Sequence, residues 1–191
     1  MAAADQPDAV LASDAQNGNR RAFDQLVIRH KGQIYRIARH YIGNESDALD
    51  IVQETFVAAW LGLRSYDTAR DFGAWLRTIA INKCRDFGRR QAVRRNVTRL
   101  FGLLDVRERS EPSADVAAER TQAESERLQA LDRAIANLPA AQKEVLVLTA
   151  FAGLSQQDVA AQLKTSVKSV EMKVRRAKQR LEELLKIDGI Q

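Results

Sequence analysis

The chain has 191 residues and a net charge of +5, and 45% of its residues are hydrophobic, with few Gly and Pro. This composition is typical of a globular protein, and the length allows one large domain or two small ones. No apolar run approaches the ~20 residues that span a bilayer, and no secretion signal is visible, so we expect a cytoplasmic protein. A single cysteine excludes an intrachain disulfide, and two histidines offer no zinc-like spacing.

Apolar residues recur at intervals of three and four along most of the chain, and no stretch shows the alternation of a β-strand. We therefore expect an all-α fold of two small helical domains joined by a flexible linker, the C-terminal one containing a helix-turn-helix. The first apolar stripe covers residues 23–41, and Gly43 breaks the pattern. A second helix can start at Asn44 or Ser46. Its predicted inward residues are Leu49, Val52, Phe56, Trp60 and Leu63.

The third predicted helix covers about residues 70–90. Its inward stripe consists of Phe72, Leu76, Ala80, Cys84 and Phe87. Cys84 is most simply a small buried hydrophobe, and redox sensing is the alternative interpretation.

A polar stretch separates the two apolar halves of the chain. Residues 104–126 are rich in Asp, Glu, Ser and Ala, a composition too polar to pack, so we interpret this part as a linker. The predicted domains therefore cover residues 18–97 and 128–186, and the linker covers 98–127.

The C-terminal residues carry a helix-turn-helix signature. Short helices are predicted over about 128–138 and 143–151. Ser155-Gln156-Gln157-Asp158 is a capping box that opens a further helix, Lys164-Thr165 makes the turn, and Ser166 caps a longer helix. A helix with an apolar side and a basic outer side fits the major groove of DNA, and the alternative is a solvated helix of an interaction bundle. The outer faces carry Lys168, Ser169, Glu171, Met172, Lys173, Arg175, Arg176 and Lys178.

Two short segments hold half of the 30 Lys and Arg residues. Residues 77–99 contain eight Lys or Arg against one acid, and residues 164–180 contain seven against one acid. The rest of the chain is consequently net negative. Charge segregated in this way predicts a polyanionic ligand at a defined place, most often nucleic acid.

An acidic cluster is unexpected in a DNA-binding protein. Asp47, Asp50 and Glu54 are spaced three and four apart on one helical face. Acids in the first turn of a helix stabilise it by ~0.3–1 kcal/mol. This effect explains the presence of Asp47 and in part that of Asp50, but not that of Glu54, which lies two turns into the helix. The alternative interpretation of this face is a docking site for a basic protein partner.

Aromatic residues are interleaved with cations around the third helix. In proteins that bind single strands, aromatic rings stack on unpaired bases while cations follow the backbone. Aromatic residues at helical spacing are more often core, so we assign Phe72 and Phe87 to the core and leave the roles of Tyr66 and Trp75 open. The interleaved cations are Arg70, Arg77, Lys83, Arg85 and Arg89.

Two sets of motifs resemble a known family. The first is Asp47-Ala-Leu-Asp50-Ile-Val-Gln53-Glu54-Thr-Phe56-Val-Ala-Ala-Trp60, then Phe72-x-x-Trp75-Leu76-x-x-Ile79-Ala80-x-Asn82-x-x-x-Asp86-x-x-Arg89-Arg90. It is similar to the second domain of bacterial extracytoplasmic-function (ECF) sigma factors, which belong to the sigma-70 family. The second set is similar to their fourth domain and consists of Leu138-Pro139-x-x-Gln142-x-x-Val145, Gly153-Leu154-Ser155, and Val170 through Arg176-Ala177-Lys178.

The resemblance implies three interfaces and no catalytic residue, metal or other cofactor, because RNA polymerase performs the chemistry. The acidic helix of the second domain docks on the basic clamp coiled coil of core RNA polymerase, and the implied partners are the beta and beta-prime subunits of that enzyme. The residues implied for this contact are Asp47, Asp50, Gln53 and Glu54. The next helix and the loop before it open the minus-ten element and hold a flipped base through Tyr66, Trp75, Arg77, Asn82, Lys83, Arg85, Arg89 and Arg90. The helix-turn-helix reads the minus-thirty-five duplex through Lys168, Ser169, Glu171, Met172, Lys173, Arg175 and Arg176.

One position departs from the pattern of the family. Glu171-Met172 stands where many members carry Lys or Arg followed by Ser. Glutamate can accept only from a cytosine amino group and methionine can meet a thymine methyl group, so we expect a different upstream element. We expect no built-in regulatory module after Gln191, and the resemblance then implies control by a separate anti-sigma factor.

Two other functions share part of these features. A helix-turn-helix regulator that does not engage core polymerase would leave the acidic face unexplained. A helical scaffold or a decoy that captures anti-sigma factors would fold alike without directing transcription. An enzyme is not expected, because no catalytic constellation and no Gly-rich phosphate loop are present.

Overall fold

In the computed structural model the chain is described over residues 6–100 and 122–187, and every regular element in these two ranges is helical. The α-helices are α1 (Asp8–Gln16), α2 (Arg20–Ile42), α3 (Glu45–Gly62), α4 (Phe72–Leu100), α5 (Gln122–Ala136), α6 (Ala140–Leu146), α7 (Gln156–Gln162) and α8 (Val167–Ile187). A short 3-10 helix, Leu63–Ser65, follows α3, and a π-helical turn, Val147–Phe151, follows α6. The predicted all-α fold is confirmed. Most of the predicted linker lies outside the described residues.

The N-terminal unit, formed by α1 to α4, is built around α2. This long helix packs against α1, α3 and α4, and it buries Leu26, Ile34 and Ile37 completely. Its ends follow the signals in the sequence. The Asn19 side chain accepts a hydrogen bond from the backbone N–H of Ala22 at 3.3 Å, and the residue after the helix, Gly43, has a left-handed φ of 82°.

Helix α3 and the turn after it bury most of the predicted stripe, and one member differs. Phe56 and Leu63 are buried, and Val52 and Trp60 are partly buried against the core, but Leu49, which is also predicted to be buried, is 47% exposed. The small side chains of Ala48 and Ala59 are fully buried instead, which lets the helix approach its neighbours closely. The hydroxyl of Thr55 also lies on this face, where it donates to the Ile51 carbonyl at 2.7 Å. Apolar residues stand at helical spacing on both faces, so periodicity alone does not choose between them.

Two helices extend beyond the predicted elements. The sequence pattern does not predict α1, a short Ala-rich helix that buries Leu11 and Ala12. Gln16 at its end donates from Nε2 to the carbonyls of Leu63 at 2.8 Å and Tyr66 at 2.7 Å, which attaches α1 to the segment after α3. Helix α4 continues to Leu100, past the predicted end at residue 90. The prediction stopped early because the last turns lack an apolar stripe. These turns still contain residues with good helix propensity, such as Ala92 and Arg94.

The C-terminal unit, formed by α5 to α8, contains the predicted helix-turn-helix. The Ser155 hydroxyl accepts from the Asp158 N–H at 3.1 Å, and the Asp158 carboxylate accepts from the Ser155 N–H at 3.2 Å, which completes the capping box. In the turn, Lys164 has a φ of 51°. Ser166 caps α8 by accepting the N–H three residues further on at 3.2 Å. Helix α8 packs against α5, α6 and α7 and buries Val170 and Ala177.

The two units contact each other. Helix α2 packs against α5 and against the π-helical turn. A Cβ atom placed on Gly43 would lie 3.3 Å from the Cβ of Ala136 and 3.4 Å from the carbonyl oxygen of Asp132. Glycine is therefore favoured at this position both by its positive φ and by the close approach of α5.

None of the helices in the described ranges is sufficiently long and apolar to cross a membrane.

Candidate protein and nucleic-acid interfaces

The acidic face of α3 is divided between open and paired carboxylates. Asp50 and Gln53 are exposed, and Asp50 has no ion-pair partner among the described residues. Glu54 is half-buried, and its carboxylate lies 3.2 Å from Nζ of Lys83 and 3.9 Å from Nη2 of Arg90 on α4. Asp47 lies in the first turn, where its backbone N–H donates to the Asn44 side chain at 2.9 Å. The open negative charge of this face is therefore centred on Asp50.

The same face of α3 continues into exposed apolar residues, which the sequence reasoning did not include. Val57 is 59% exposed and Leu61 is 76% exposed. With Gln53 they follow one another at intervals of four, so they form one stripe along the helix. Val57 and Leu61 could have been found from the sequence, because they continue the helical spacing of Asp50 and Glu54 along α3. The stripe offers a partner both charge and apolar contact.

The basic side of α4 presents several predicted residues to solvent. Asn82, Arg89 and Arg90 are exposed, and Lys83 is half-buried beside Glu54. The carboxamide oxygen of Asn82 accepts from Nη1 of Arg85 at 3.1 Å. Arg89 forms an ion pair with Asp86 one turn earlier in the helix. This side of the helix can therefore reach a ligand without rearrangement of the backbone.

Two predicted cations of α4 are instead occupied by the C-terminal unit. Arg77 donates from Nε to the Gln162 side chain at 3.1 Å, and burial lowers the pKa of its guanidinium. Arg85 donates from Nε and Nη2 to the two carboxylate oxygens of Glu144, at 2.6 and 2.5 Å. These hydrogen bonds raise the pKa of Arg85. The C-terminal unit therefore engages both guanidinium groups, although 39% of the Arg85 side chain stays exposed, and Arg77 also donates to Gln33 of its own unit at 3.3 Å.

The aromatic residues before and within α4 form a cluster. Tyr66 is only 6% exposed, and its hydroxyl donates to the Arg70 carbonyl at 2.5 Å. Desolvation raises the pKa of this hydroxyl. The Tyr66 ring meets Phe72 edge-on at 5.5 Å and Trp75 at 4.6 Å between ring centroids. Tyr66 therefore belongs to the core, and its predicted role in stacking on a base does not fit this arrangement. Trp75 keeps part of its surface exposed.

Helix α8 separates an apolar side from a charged side, as predicted. Its predicted DNA-contacting residues are either exposed or half-buried. The fully exposed ones are Lys168, Glu171, Arg175 and Arg176, and the half-buried ones are Ser169, Met172 and Lys173. Arg175 reaches back along the helix, with Nη2 3.5 Å from the sulfur of Met172. Glu171 is thus more open to a ligand than Met172.

Comparison with known families identifies both units. Residues 26–94 match the model of Sigma-70 region 2, and residues 128–181 match the model of Sigma-70, region 4. The chain is 40% identical to the RNA polymerase sigma factor CnrH of Cupriavidus metallidurans, over 95% of this chain and 96% of that protein.

The chain belongs to the sigma-70 family of RNA polymerase sigma factors, as an ECF sigma factor. It is also 30% identical to the ECF RNA polymerase sigma factor SigE of Mycolicibacterium smegmatis, over 95% of this chain and 69% of that one. The resemblance inferred from the two motif sets is therefore confirmed, and so is the assignment to transcription initiation by RNA polymerase at promoters. The alternative of a regulator that does not engage polymerase is not favoured.

Solved structures agree with the fold of this sigma factor. The structure of CnrH in complex with the cytosolic domain of CnrY superimposes with a TM-score of 0.68 at 37% identity, over 95% of this chain and 98% of that one. The sigma factor RpoE of Bartonella quintana, in complex with the anti-sigma factor NepR, superimposes with a TM-score of 0.66 at 27% identity, over 87% and 98% of the chains.

Proposed function

We propose that this sigma factor uses three separate surfaces: α3 docks on core polymerase, α4 holds the melted minus-ten strand, and α8 reads the minus-thirty-five duplex. The observation that carries this assignment is the distribution of charge in the fold. The exposed stripe on α3 is acidic and apolar, whereas the outer sides of α4 and α8 are basic, and the α3 and α4 surfaces meet where Glu54 pairs with Lys83 and Arg90. A protein that must bind both a basic protein and a polyanion needs surfaces of opposite charge, because each ligand is repelled by the other's site.

The polymerase surface consists of Asp47, Asp50, Gln53 and Glu54, extended by Val57 and Leu61. Asp50 supplies the open charge, since Glu54 is partly neutralised by Lys83 and Arg90. The exposed apolar pair would be covered on binding, which adds a hydrophobic contribution at the end of the charged stripe. The partner surface should therefore be basic at one end and apolar at the other.

The minus-ten surface is the side of α4 that carries Asn82, Lys83, Arg89 and Arg90, together with Arg77 and Arg85 once they are released from the C-terminal unit. Asn82 can donate and accept hydrogen bonds with the edge of an extruded base, and the cations can follow the backbone. Trp75 is the aromatic residue of this region with exposed surface. The proposal for Tyr66 is limited to support of the loop that precedes α4.

The minus-thirty-five surface lies on α8. Arg175, Arg176, Lys168 and Lys173 would position the helix on phosphates, and such contacts carry no sequence information. Glu171 is exposed between them and is the residue that we assign to base readout, with the amino group of cytosine as its partner. Its neighbour Met172 contacts Arg175 and contributes an apolar edge.

Control by an anti-sigma factor is also part of the proposal. Two similar sigma factors, CnrH and RpoE, have been solved with CnrY and the anti-sigma factor NepR, and both align over most of this chain. We further propose that the chain acts in the cytoplasm and is not itself an enzyme, because core polymerase supplies the catalytic groups. Among the described residues, no group of three or more His, Cys, Asp or Glu side chains could hold a metal ion.

Reconstituted transcription tests this function. Core polymerase and the purified chain should together produce a run-off transcript from the promoter of the chain's own operon, whereas core polymerase alone should not. The Asp50→Arg variant is the matched test of the α3 surface. If the chain bound the promoter by itself and left core polymerase inactive, the helix-turn-helix regulator would replace the sigma factor as the functional assignment of these surfaces.

A further inference from the structure

Two acidic side chains of the C-terminal unit are buried against cations of the N-terminal unit. Glu144 on α6 is 6% exposed and Asp132 on α5 is 7% exposed. Buried carboxylates are rare unless they are paired, because the loss of hydration is costly. Their partners therefore decide whether this contact between the units is stable.

Glu144 is held by Arg85 of α4. The guanidinium donates two hydrogen bonds to the two carboxylate oxygens, at 2.6 and 2.5 Å, in the bidentate geometry that makes such pairs strong. The Tyr41 hydroxyl of α2 also faces this carboxylate. Nearby, Nζ of Lys143 lies 5.0 Å from the centre of the Tyr41 ring. The Glu144 carboxylate thus faces Arg85 and Tyr41 of the N-terminal unit, with Lys143 of its own helix beside the Tyr41 ring.

Asp132 is held by the end of α2. Its carboxylate lies 2.8 Å from Nη1 of Arg39 and 3.1 Å from Nδ1 of His40. The His40 ring stacks on Phe151 of the π-helical turn, with 3.6 Å between ring centroids and 21° between their planes. A second set of hydrogen bonds joins Gln33 to the Ala152 carbonyl at 3.1 Å.

The contact occupies the surface that DNA would need. Arg85 and Arg77, which we assign to the minus-ten strand, donate to Glu144 and to Gln162 of the C-terminal unit. A guanidinium that makes a bidentate bond to a carboxylate cannot make the same bond to a phosphate. The carboxylate and the DNA backbone are therefore alternative ligands of the same cation.

We propose that the C-terminal unit acts as an internal competitor of promoter DNA, with Glu144 and Gln162 taking the place of DNA on Arg85 and Arg77. The free sigma factor is then self-inhibited for binding the minus-ten strand without any anti-sigma factor. This inference rests on the proposed minus-ten role of α4. Opening the contact releases Arg85 and Arg77 of α4 and the face of α6 at once, and adds them to the exposed cations of α4.

The contact combines ionic and polar pairs with apolar packing. Buried apolar residues of both units, among them Ile37 and Val145, belong to one continuous cluster. The ionic and polar groups can be hydrated again when the units separate, as at other contacts between domains of one chain. Polymerase or a competing polyanion that binds only the open form would shift the equilibrium toward it.

The first test removes the charge of Glu144 in the full-length chain. Glu144→Gln should bind a labelled single-stranded DNA pool of random sequence, about 12 nucleotides long, about tenfold more tightly than wild type in an anisotropy titration. The matched control is Glu182→Gln, which removes one exposed acidic charge from α8 and should change the affinity less than twofold, on the order expected for a distant surface charge. Equal affinity of Glu144→Gln, Glu182→Gln and wild type would count against the competition.

The second test fixes the closed contact by a reversible bond. In Gly43→Cys/Ala136→Cys the two Cβ atoms would start about 3.3 Å apart, close to the spacing of a disulfide. The positive φ of residue 43 makes this variant somewhat strained, so the reduced form serves as its own folding control. Cys84 is fully buried and should not exchange with the new pair.

The oxidised double variant should bind the DNA pool at least tenfold more weakly, because the disulfide keeps Arg85 and Arg77 on the C-terminal unit. Reduction should restore the affinity. Equal binding of the oxidised and reduced forms would overturn the competition while leaving the minus-ten assignment intact. Failure of the wild type, Glu144→Gln and the reduced double variant to bind DNA at all would overturn the minus-ten assignment, and the inference with it.

Discussion

Reversal of a single charge on α3 separates docking on polymerase from folding of the sigma factor. Asp50 is exposed, and among the described residues it makes no ion pair, so Asp50→Arg should change the free energy of unfolding by less than about 0.5 kcal/mol. Its effect should fall instead on the complex with core polymerase. The variant replaces an attraction to a basic partner by a repulsion.

The size of this effect follows from Coulomb's law. In water two unit charges 4 Å apart interact by about 1 kcal/mol, so the exchange of attraction for repulsion amounts to about 2 kcal/mol. This energy corresponds to about a thirtyfold loss of affinity. A partner that is less hydrated in the complex would make the loss larger.

Glu54 provides the comparison that only the structure supplies. Its carboxylate already faces Lys83 and Arg90, so Glu54→Gln should weaken polymerase binding less than Asp50→Asn does. It should also lower the free energy of unfolding by about 0.2–1 kcal/mol, because half-exposed ion pairs contribute about this much.

The assay is a competition between each variant and fluorescent wild-type protein for core polymerase at about 0.1 M salt, where the Debye length is about 10 Å. Thermal unfolding of each variant measures stability in parallel, and Glu182→Arg on α8 controls for charge reversal elsewhere. Unchanged affinity of Asp50→Arg would refute docking through α3. A larger loss from Glu54→Gln than from Asp50→Asn would refute the view that Asp50 carries the open charge.

Three further predictions concern single residues. Burial raises the pKa of Cys84 to about 12, so only about one thiol in ten thousand is ionised at pH 8. Cys84 should therefore react with a thiol reagent only as fast as the protein unfolds. Rapid labelling of the native protein would contradict its burial. Ser155→Ala should lower the free energy of unfolding by about 0.5–2 kcal/mol, measured by urea denaturation. Hydrogen bonds from Ser155 lower the pKa of Asp158, so the stabilising effect of this carboxylate is present above its ordinary pKa of 3.8 and is lost as the pH falls through the lowered value. In Ser155→Ala the pKa of Asp158 moves back toward 3.8, so this pH-dependent loss of stability should be smaller than in wild type. Glu171→Arg should change the preferred base at one upstream position by about 1–3 kcal/mol in transcription from a randomised library, whereas an unchanged preference would show that Glu171 does not read bases.

The ends of helices could be predicted from the sequence because each depends on one or two residues. Gly43 ends α2, and Ser155 and Ser166 begin α7 and α8, each through the local hydrogen bonds that its residue type favours. The exposure of Leu49 on α3 could not be predicted in the same way. Leu49 and Ala48 are neighbours in the chain, and only the surface of α2 and α4 decides which of them is covered.

The residue types of the proposed DNA-binding surfaces were also indicated by the sequence, but their accessibility was not. Tyr66 has the chemistry to stack on a base, and yet the packing of Phe72 and Trp75 around it places it in the core. Arg77 and Arg85 lie in a segment that the sequence shows as strongly basic. Whether such cations are open depends on groups that are far away along the chain.

The pair formed by Arg85 and Glu144 illustrates why this distance matters for function. The two residues are separated by 59 positions, and in the sequence Glu144 resembles any acid on the surface of a short helix. No local pattern marks it as the partner of a DNA-binding cation. A protein whose cations are occupied internally releases fewer counterions from DNA, and each lost phosphate contact lowers the slope of log K against log salt by about 0.7 for a single strand. The net charge of the chain therefore overestimates how strongly the closed sigma factor binds DNA, and the charge that DNA meets is set by the contact between the two units.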